Sequence, residues 1–278
     1  MTAPVRNIEV TRFSSGQAER KPDLVAVEEP LEIRIGFGSQ SNRVQKSLAV
    51  TMRTPGQDIE LTLGFLFTEG IIQNLDQIES VKHCSDAGQL VNDNIIRAEL
   101  KPEVAIDFEK LQRHFYTTSS CGVCGKSSIE SVRIGCRSVD SDLICASDMM
   151  VSLPDRIKLA QPVFEHTGGL HASALFDKDG NLELLREDVG RHNALDKVIG
   201  HSLFKSKIPL THSILLVSGR ASFELVQKAC MAGIPILAAI GAPSSLAVDL
   251  AREMGMTLVG FARAQRFNIY CGHARVAG

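Results

Sequence analysis

No charge of either sign dominates this chain. Its 278 residues carry 30 Lys and Arg against 32 Asp and Glu, a formal net charge of −2. That balance gives no electrostatic case for a nucleic-acid partner, which calls for a basic face. An anionic ligand must then be held by a local constellation and not by a global field. Long apolar runs are missing too: the most apolar late stretch, Ile234 to Ala242, is too short to cross a bilayer and is broken by Pro235. The opening MTAPVRNIEVTRF lacks the apolar centre of a secretory signal. No membrane insertion is expected, and the expected location is the cytoplasm. Cysteine is present, but its seven residues are odd in number and scattered, which excludes a disulfide framework and points to reduced thiols. Neither an internal repeat nor a low-complexity tract is visible.

What is there reads as a globular protein. The hydrophobic fraction is 44% and the charged fraction 22%, in a chain long enough for one large domain or two moderate ones. Residues 1–29 mix charge, Ser, Gly and Pro and read as a partly ordered lead-in. Leu31 to Ile35 alternates apolar and charged residues as a half-buried strand does, and Ser47 to Met52 reads as its partner. Thr54-Pro55-Gly56 turns the chain into Asp58, a candidate N-cap for an apolar helix through Leu61, Leu63, Phe65 and Leu66. Asn94 to Leu100 is strand-like and Phe108 to Phe115 reads as a short helix. The first half is thus a small α+β unit, residues 30–150, that contains a cysteine loop.

From residue 151 the pattern changes. Ser152 to His166 is helical, and Leu170–Phe176 with Leu182–Glu187 forms a hairpin. Helices over Arg191–Leu203, Ser222–Met231 and Ser244–Met254 then alternate with strands over Ile214–Val217, Ile236–Ile240 and Thr257–Phe261, followed by a tail with Asn268 and Tyr270. Such alternation implies crossover units on a mostly parallel sheet.

Several strand-to-helix turns in this half share one design. In Val217-Ser218-Gly219-Arg220-Ala221-Ser222, Ser222 can cap a helix, Gly219 permits close backbone approach and Arg220 can grip a phosphate. Gly241-Ala242-Pro243-Ser244-Ser245 repeats the idea, and Gly190-Arg191-His192-Asn193 opens the earlier helix with groups able to bond a base or a phosphate. Ligands of open α/β sheets sit beyond the carboxyl ends of the strands, where these turns would converge. Any one of them could be merely a tight helix start, and the final run through Phe261 and Arg263 could be an ordinary exposed segment. His171 reads as a hydrogen-bonded structural residue, and the charge-rich Arg186–His192 as a solvated turn with a local salt bridge.

The most reactive-looking stretch is Cys121-Gly122-Val123-Cys124-Gly125-Lys126, entered through Thr117-Thr118-Ser119-Ser120. Two thiols three positions apart, glycines after each, and a lysine that favours the thiolate make an adaptable nucleophilic loop. Three chemistries fit. A zinc site needs two more ligands, and Cys136 and Cys145 do not form a second C-x-x-C pair. Dithiol redox chemistry uses this spacing, though normally after the first strand of a small βαβ domain. A single nucleophile carrying sulfur as a persulfide, with the second thiol as helper, is the third. The loop alone does not decide among them.

Cys-Gly-Val-Cys-Gly-Lys at 121–126, Thr-Gly-Gly-x-His at 167–171, Arg-Glu-Asp-Val-Gly-Arg-His-Asn-Ala-x-Asp-Lys at 186–197, Ser-Gly-Arg-Ala-Ser-x-Glu at 218–224 and Ala-Pro-Ser-Ser at 242–245 together resemble the FdhD family. These are formate dehydrogenase accessory sulfurtransferases, and the resemblance covers the chain from about residue 30 to its end. It implies that sulfur is taken from a cysteine desulfurase and passed to the molybdenum cofactor, so that formate dehydrogenase becomes active. Cys121 would carry the persulfide and Cys124 would assist. The substrate implied is the molybdenum bis(molybdopterin guanine dinucleotide) cofactor, whose GDP-like moiety could occupy the site alone. Gly260, Phe261, Ala262, Arg263, Ala264 and Gln265 match the segment expected to hold it, joined by His192, Asn193, Ser218, Gly219, Arg220, Ser222 and Ser244 at the turns. No resident metal is expected.

The resemblance further implies a homodimer and an α/β fold: a cytidine-deaminase-like C-terminal core over 151–278 beside the smaller α+β domain. Zinc deaminases carry His-x-Glu at one helix and Pro-Cys-x-x-Cys at the next. By fold analogy Arg191-His192-Asn193-Ala194 and Gly219-Arg220-Ala221-Ser222 occupy those places, without the glutamate or the thiolates, so deaminase chemistry is excluded. The other reading kept open is a non-catalytic chaperone that binds and delivers the cofactor.

Overall fold

The computed structural model describes residues 3–84, 92–104, 106 and 136–278. Cys121, Cys124 and Lys126 lie outside the described residues, as does the helix expected over 108–115. The chain opens with two strands, β1 (Val5–Ser14) and β2 (Gln17–Ala26), paired antiparallel along their whole length. Composition suggested only a partly ordered lead-in. The missed signal is the turn: Ser15 and Gly16 both take positive φ, 52° and 80°, the geometry that matches the twist of a two-residue hairpin.

A four-stranded sheet follows in the order β4-β3-β6-β5, from β3 (Glu29–Phe37), β4 (Val44–Arg53), β5 (Ile78–Cys84) and β6 (Asn92–Leu100). The alternation in β3 does what its pattern predicts: Leu31, Ile33 and Ile35 are buried while Glu32 and Arg34 face outward. Helix α1 (Asp58–Thr68) covers the buried face. Its N-cap is Gln57, in the left-handed region, and not Asp58. Asp58 is instead the first helical residue, and its carboxylate takes two hydrogen bonds from the buried Arg53, at 3.0 and 3.1 Å.

The second half builds a six-stranded sheet in the order β9-β8-β10-β11-β12-β13. Its strands are β8 (His171–Phe176), β9 (Leu182–Asp188), β10 (Ile214–Val217), β11 (Ile236–Ala239), β12 (Thr257–Arg263) and β13 (Arg266–Cys271). β10, β11 and β12 run parallel, and β8 runs against β9 and β10. The expected tail with Asn268 and Tyr270 is therefore an edge strand, returned antiparallel by a short turn. Helices α4 (Arg191–Phe204), α5 (Phe223–Met231) and α6 (Ser245–Glu253) contribute to the core on one face of this sheet. On the other face lies α2 (Ser147–Leu159). The single helix expected over 152–166 is two, because Pro162 begins α3 (Pro162–Thr167) and cannot continue α2. A short parallel pair, β7 (Cys145–Ala146) with β14 (Val276–Ala277), ties the chain end back to the start of α2.

The two sheets share one core. Leu63 and Leu66 of α1 pack in the same cluster as Leu195, Val198 and Ile199 of α4. The helices approach closely enough that a Cβ on Gly64 would fall 1.9 Å from the Asp196 carbonyl oxygen, and one on Gly200 would fall 1.8 Å from that of Glu60. Glycine here is a requirement of contact, not of conformation.

Candidate functional site

Strand directions decide where the site lies. β9 runs with β10, β11 and β12, so all four end at one edge of the sheet, where β8 begins with His171. The turns after them are stitched together by backbone hydrogen bonds. The Gly241 amide donates to the Gly219 carbonyl at 2.9 Å, the Ser244 amide to that of Ala221 at 3.0 Å, and the Phe261 amide to that of Gly241 at 3.0 Å. The segments over 218–222, 241–244 and 260–263 thus form one continuous rim.

Ser218 closes the floor of this rim: its amide donates to the Ala172 carbonyl at 2.9 Å and its hydroxyl accepts from the Ala172 amide at 2.8 Å. Gly219 leaves room beside it, since a Cβ there would meet the His171 Nδ1 at 3.5 Å and the Arg191 Cδ at 3.8 Å. Arg220 is exposed above, with its Cα and Cγ each 3.0 Å from where a Gly241 Cβ would sit. Ser244 caps α6, its hydroxyl accepting from the Ala247 amide at 3.3 Å. Ser222 holds the N-cap position of α5 but makes no such bond. Its hydroxyl lies 3.5 Å from His192 Nε2, which pairs with Glu224 at 2.8 Å. Glu224 is a residue the sequence reading did not single out, although it closes the Ser-Gly-Arg-Ala-Ser-x-Glu motif.

In the final segment, Phe261 is 40% exposed and takes φ 52°, a left-handed conformation costly for a bulky residue. It leaves the aromatic ring accessible for stacking beside the exposed Arg263, Ala264 and Gln265. Two residues expected to hold a ligand are placed otherwise. Ala262 is buried in the core on the α2 side of the sheet. Gly260 is buried because a Cβ there would press on Pro243 at 2.7 Å and Tyr270 at 2.9 Å, so its smallness serves packing.

Asn193 is also turned inward. Its amide nitrogen donates to the Met52 carbonyl at 2.8 Å and to Asp188 at 3.0 Å, and its oxygen accepts from Thr51 at 3.1 Å. It pins the N-terminal sheet to α4 and has little left for a ligand. Much of the 186–197 motif behaves likewise. Lys197 and Asp188 form a fully buried ion pair at 2.7 Å, Arg186 makes a bidentate pair with Glu60, and Asp196 bonds Lys228 and Thr68. The charge-rich run 186–192, whose plainer reading is a solvated turn, belongs mostly to an internal network, and Arg191 and His192 reach the rim.

The rim is electropositive through Arg191, Arg220 and Arg263. His171 stands among them: burial, with the charges of Arg191 and His192 adding to it, pushes its pKa below the ordinary histidine value. It therefore contributes a neutral hydrogen-bonding ring at neutral pH. A separate groove of about 390 Å³ on the outer face of the four-stranded sheet contrasts with this. Its Arg43 and Arg97 both pair with Glu99, at 2.5 and 2.7 Å, leaving little net charge for an anion. Among the described residues no cluster of His, Cys, Asp or Glu is arranged to hold a metal ion, and no helix is long and apolar enough to cross a membrane.

Fold and rim together define a mixed α/β protein whose six-stranded sheet presents a cationic edge built from backbone turns. Residues 26–277 match the FdhD/NarQ family, and the chain belongs to it. It is 48% identical to the sulfur carrier protein FdhD of Streptomyces avermitilis over 275 residues, covering 96% of this chain and 94% of that one. It is 41% identical to the protein of that name from Saccharolobus solfataricus, covering 99% and 100%. A crystal structure of a candidate formate dehydrogenase accessory protein from Desulfotalea psychrophila superposes with a TM-score of 0.75 at 23% identity, covering 99% of this chain and all of that one. That likeness speaks to the fold.

Proposed function

We propose that this protein carries sulfur from a cysteine desulfurase to the molybdenum bis(molybdopterin guanine dinucleotide) cofactor, for the benefit of formate dehydrogenase. The relatives' name, sulfur carrier protein, supports the first part of this reading. The observation that supports the second is the rim itself: exposed Arg220 and Arg263, the Gly219 and Gly241 turns, and Phe261 suit a phosphorylated, aromatic ligand such as a guanine nucleotide. The alternation of strand and helix, with helices α4 to α6 on one face, supports the cytidine-deaminase-like reading of this half as a scaffold without the deaminase residues.

In the chemical step, the Cys121 thiolate attacks the outer sulfur of the desulfurase persulfide. The sulfur–sulfur bond breaks, the desulfurase cysteine leaves as a thiolate, and Cys121 holds the transferred sulfur. A persulfide is more acidic than a thiol, so the carried group is anionic at neutral pH, and a neighbouring cation such as Lys126 stabilises it. Cys124 assists. The loaded cofactor is the substrate that the rim holds through its nucleotide portion.

The test is to incubate the reduced protein with an active desulfurase and cysteine, then locate adducts by peptide mass spectrometry. One added sulfur on the Cys121 peptide, absent in Cys121→Ala, is the expected result. No adduct would favour the alternative, a delivery chaperone that binds the cofactor without handling sulfur.

A further inference from the structure

Two thiols outside the C-x-x-C motif and outside the rim meet beside α5. Cys136 lies twelve positions after Cys124. Its Sγ donates to the Gln227 carbonyl of α5 at 3.8 Å. Cys230, on the same helix, donates its Sγ to the Arg137 carbonyl at 3.3 Å. Neither cysteine is in a disulfide. Two hydrogen bonds between the stretch Cys136-Arg137 and the turn of α5 from Gln227 to Cys230 bring the pair to one place.

We propose that Cys136 and Cys230 form a modification site: a dithiol that closes into a disulfide and fastens the chain at Cys136 to α5. Closure needs the two sulfurs, each hydrogen-bonded to a backbone carbonyl near the other cysteine, to reach a bond of about 2 Å. Cys136, partly exposed, reacts first, and Cys230, buried, resolves. With a low-molecular-weight disulfide such as oxidised glutathione, the Cys136 thiolate attacks one sulfur and one glutathione leaves as a thiolate. Cys230 then gives up its proton and attacks the Cys136 sulfur, and the second glutathione leaves. Two protein thiols are oxidised, one glutathione disulfide is reduced, and the two protons end on the two glutathione thiols. The consequence is positional, because α5 begins at Ser222 on the rim. A covalent tie there holds Cys136, twelve positions after Cys124, against the helix that begins at the rim.

The experiment equilibrates the full-length protein in glutathione buffers from reducing to oxidising, quenches with acid, alkylates and maps peptides by mass spectrometry. A linked Cys136–Cys230 peptide that is reversed by dithiothreitol, and forms equally in a Cys121→Ser/Cys124→Ser variant, is expected. That double variant separates this site from any chemistry of the loop. Cys230→Ser should leave Cys136 only as a glutathione adduct. Should Cys230→Ser not fold, Cys136→Ser, at the less buried position, replaces it and should leave Cys230 alkylatable. Recovery of both residues as thiols in oxidising buffer, or linked to other cysteines, overturns the proposal.

Discussion

At Lys197 a full positive charge sits in the interior, 0% exposed, against Asp188, also 0% exposed. The ammonium donates to the Thr54 carbonyl at 3.0 Å, while the Asp188 carboxylate accepts from the amides of Thr54 and Gly190 and from the Asn193 side chain. Such a pair gains little over apolar packing, but removing one partner leaves the other charged and dry. Lys197→Met is therefore expected to lose about 3–5 kcal/mol in urea unfolding, and Asp188→Asn added to it should restore part of that loss. A single-variant loss below about 1 kcal/mol would mean that the pair is incidental. The same residues show where sequence reading stopped. Arg-Glu-Asp-Val-Gly-Arg-His-Asn at 186–193 reads as charge at a turn, and charge at a turn is usually solvated. What buries it is a strand and helix more than a hundred positions earlier, and no local pattern carries that distance. Asn193 was misplaced for the same reason: its partners are Thr51 and Met52.

At the scale of elements, periodicity was informative wherever one face is wet. β3 and β6 follow their patterns, because burial on one side writes alternation into the sequence, while β8, buried on both faces, was marked by its apolar run and the turn after it. β1 and β2 did not stand out, since most of their residues are exposed and the hairpin's strongest signal is two backbone angles. Helix contact escaped notice as well, because a glycine inside a helix reads as a weakness when it is in fact a point of approach. Gly200→Ala would gain about 1 kcal/mol of helix propensity in isolation. Its Cβ, though, would lie 1.8 Å from the Glu60 carbonyl oxygen and 2.7 Å from the Gly64 amide nitrogen. Those are backbone atoms that cannot step aside as a side-chain tip can. Overpacking of about 1–3 kcal/mol or more should win, so the melting temperature should fall. A rise in melting temperature would show that the α1–α4 contact yields more readily than its geometry indicates.

Across the whole molecule, the rim and the internal network divide residues that lie side by side in sequence. Arg191 and His192 reach the rim while Asn193, Asp196 and Lys197 join the two sheets, so the start of α4 contributes both to the rim and to cohesion. The convergence of the turns was legible because strand-to-helix punctuation is local, and the parallel order then brings the ends together. Which side chains stay available was not legible, since that depends on partners from the other half of the chain. This division can be measured. Arg220→Ala removes an exposed guanidinium and should weaken binding of guanosine diphosphate about tenfold or more by calorimetry, the loss of one charge-assisted hydrogen bond. Its unfolding midpoint should stay unchanged, because no packing is disturbed. Asn193→Ala should do the reverse, lowering stability by about 1–3 kcal/mol through unpaired buried partners while the folded fraction binds nearly as before. If instead Asn193→Ala abolishes binding at full stability and Arg220→Ala is silent, the nucleotide does not sit on this rim, and the inward-facing amide must turn outward to meet it.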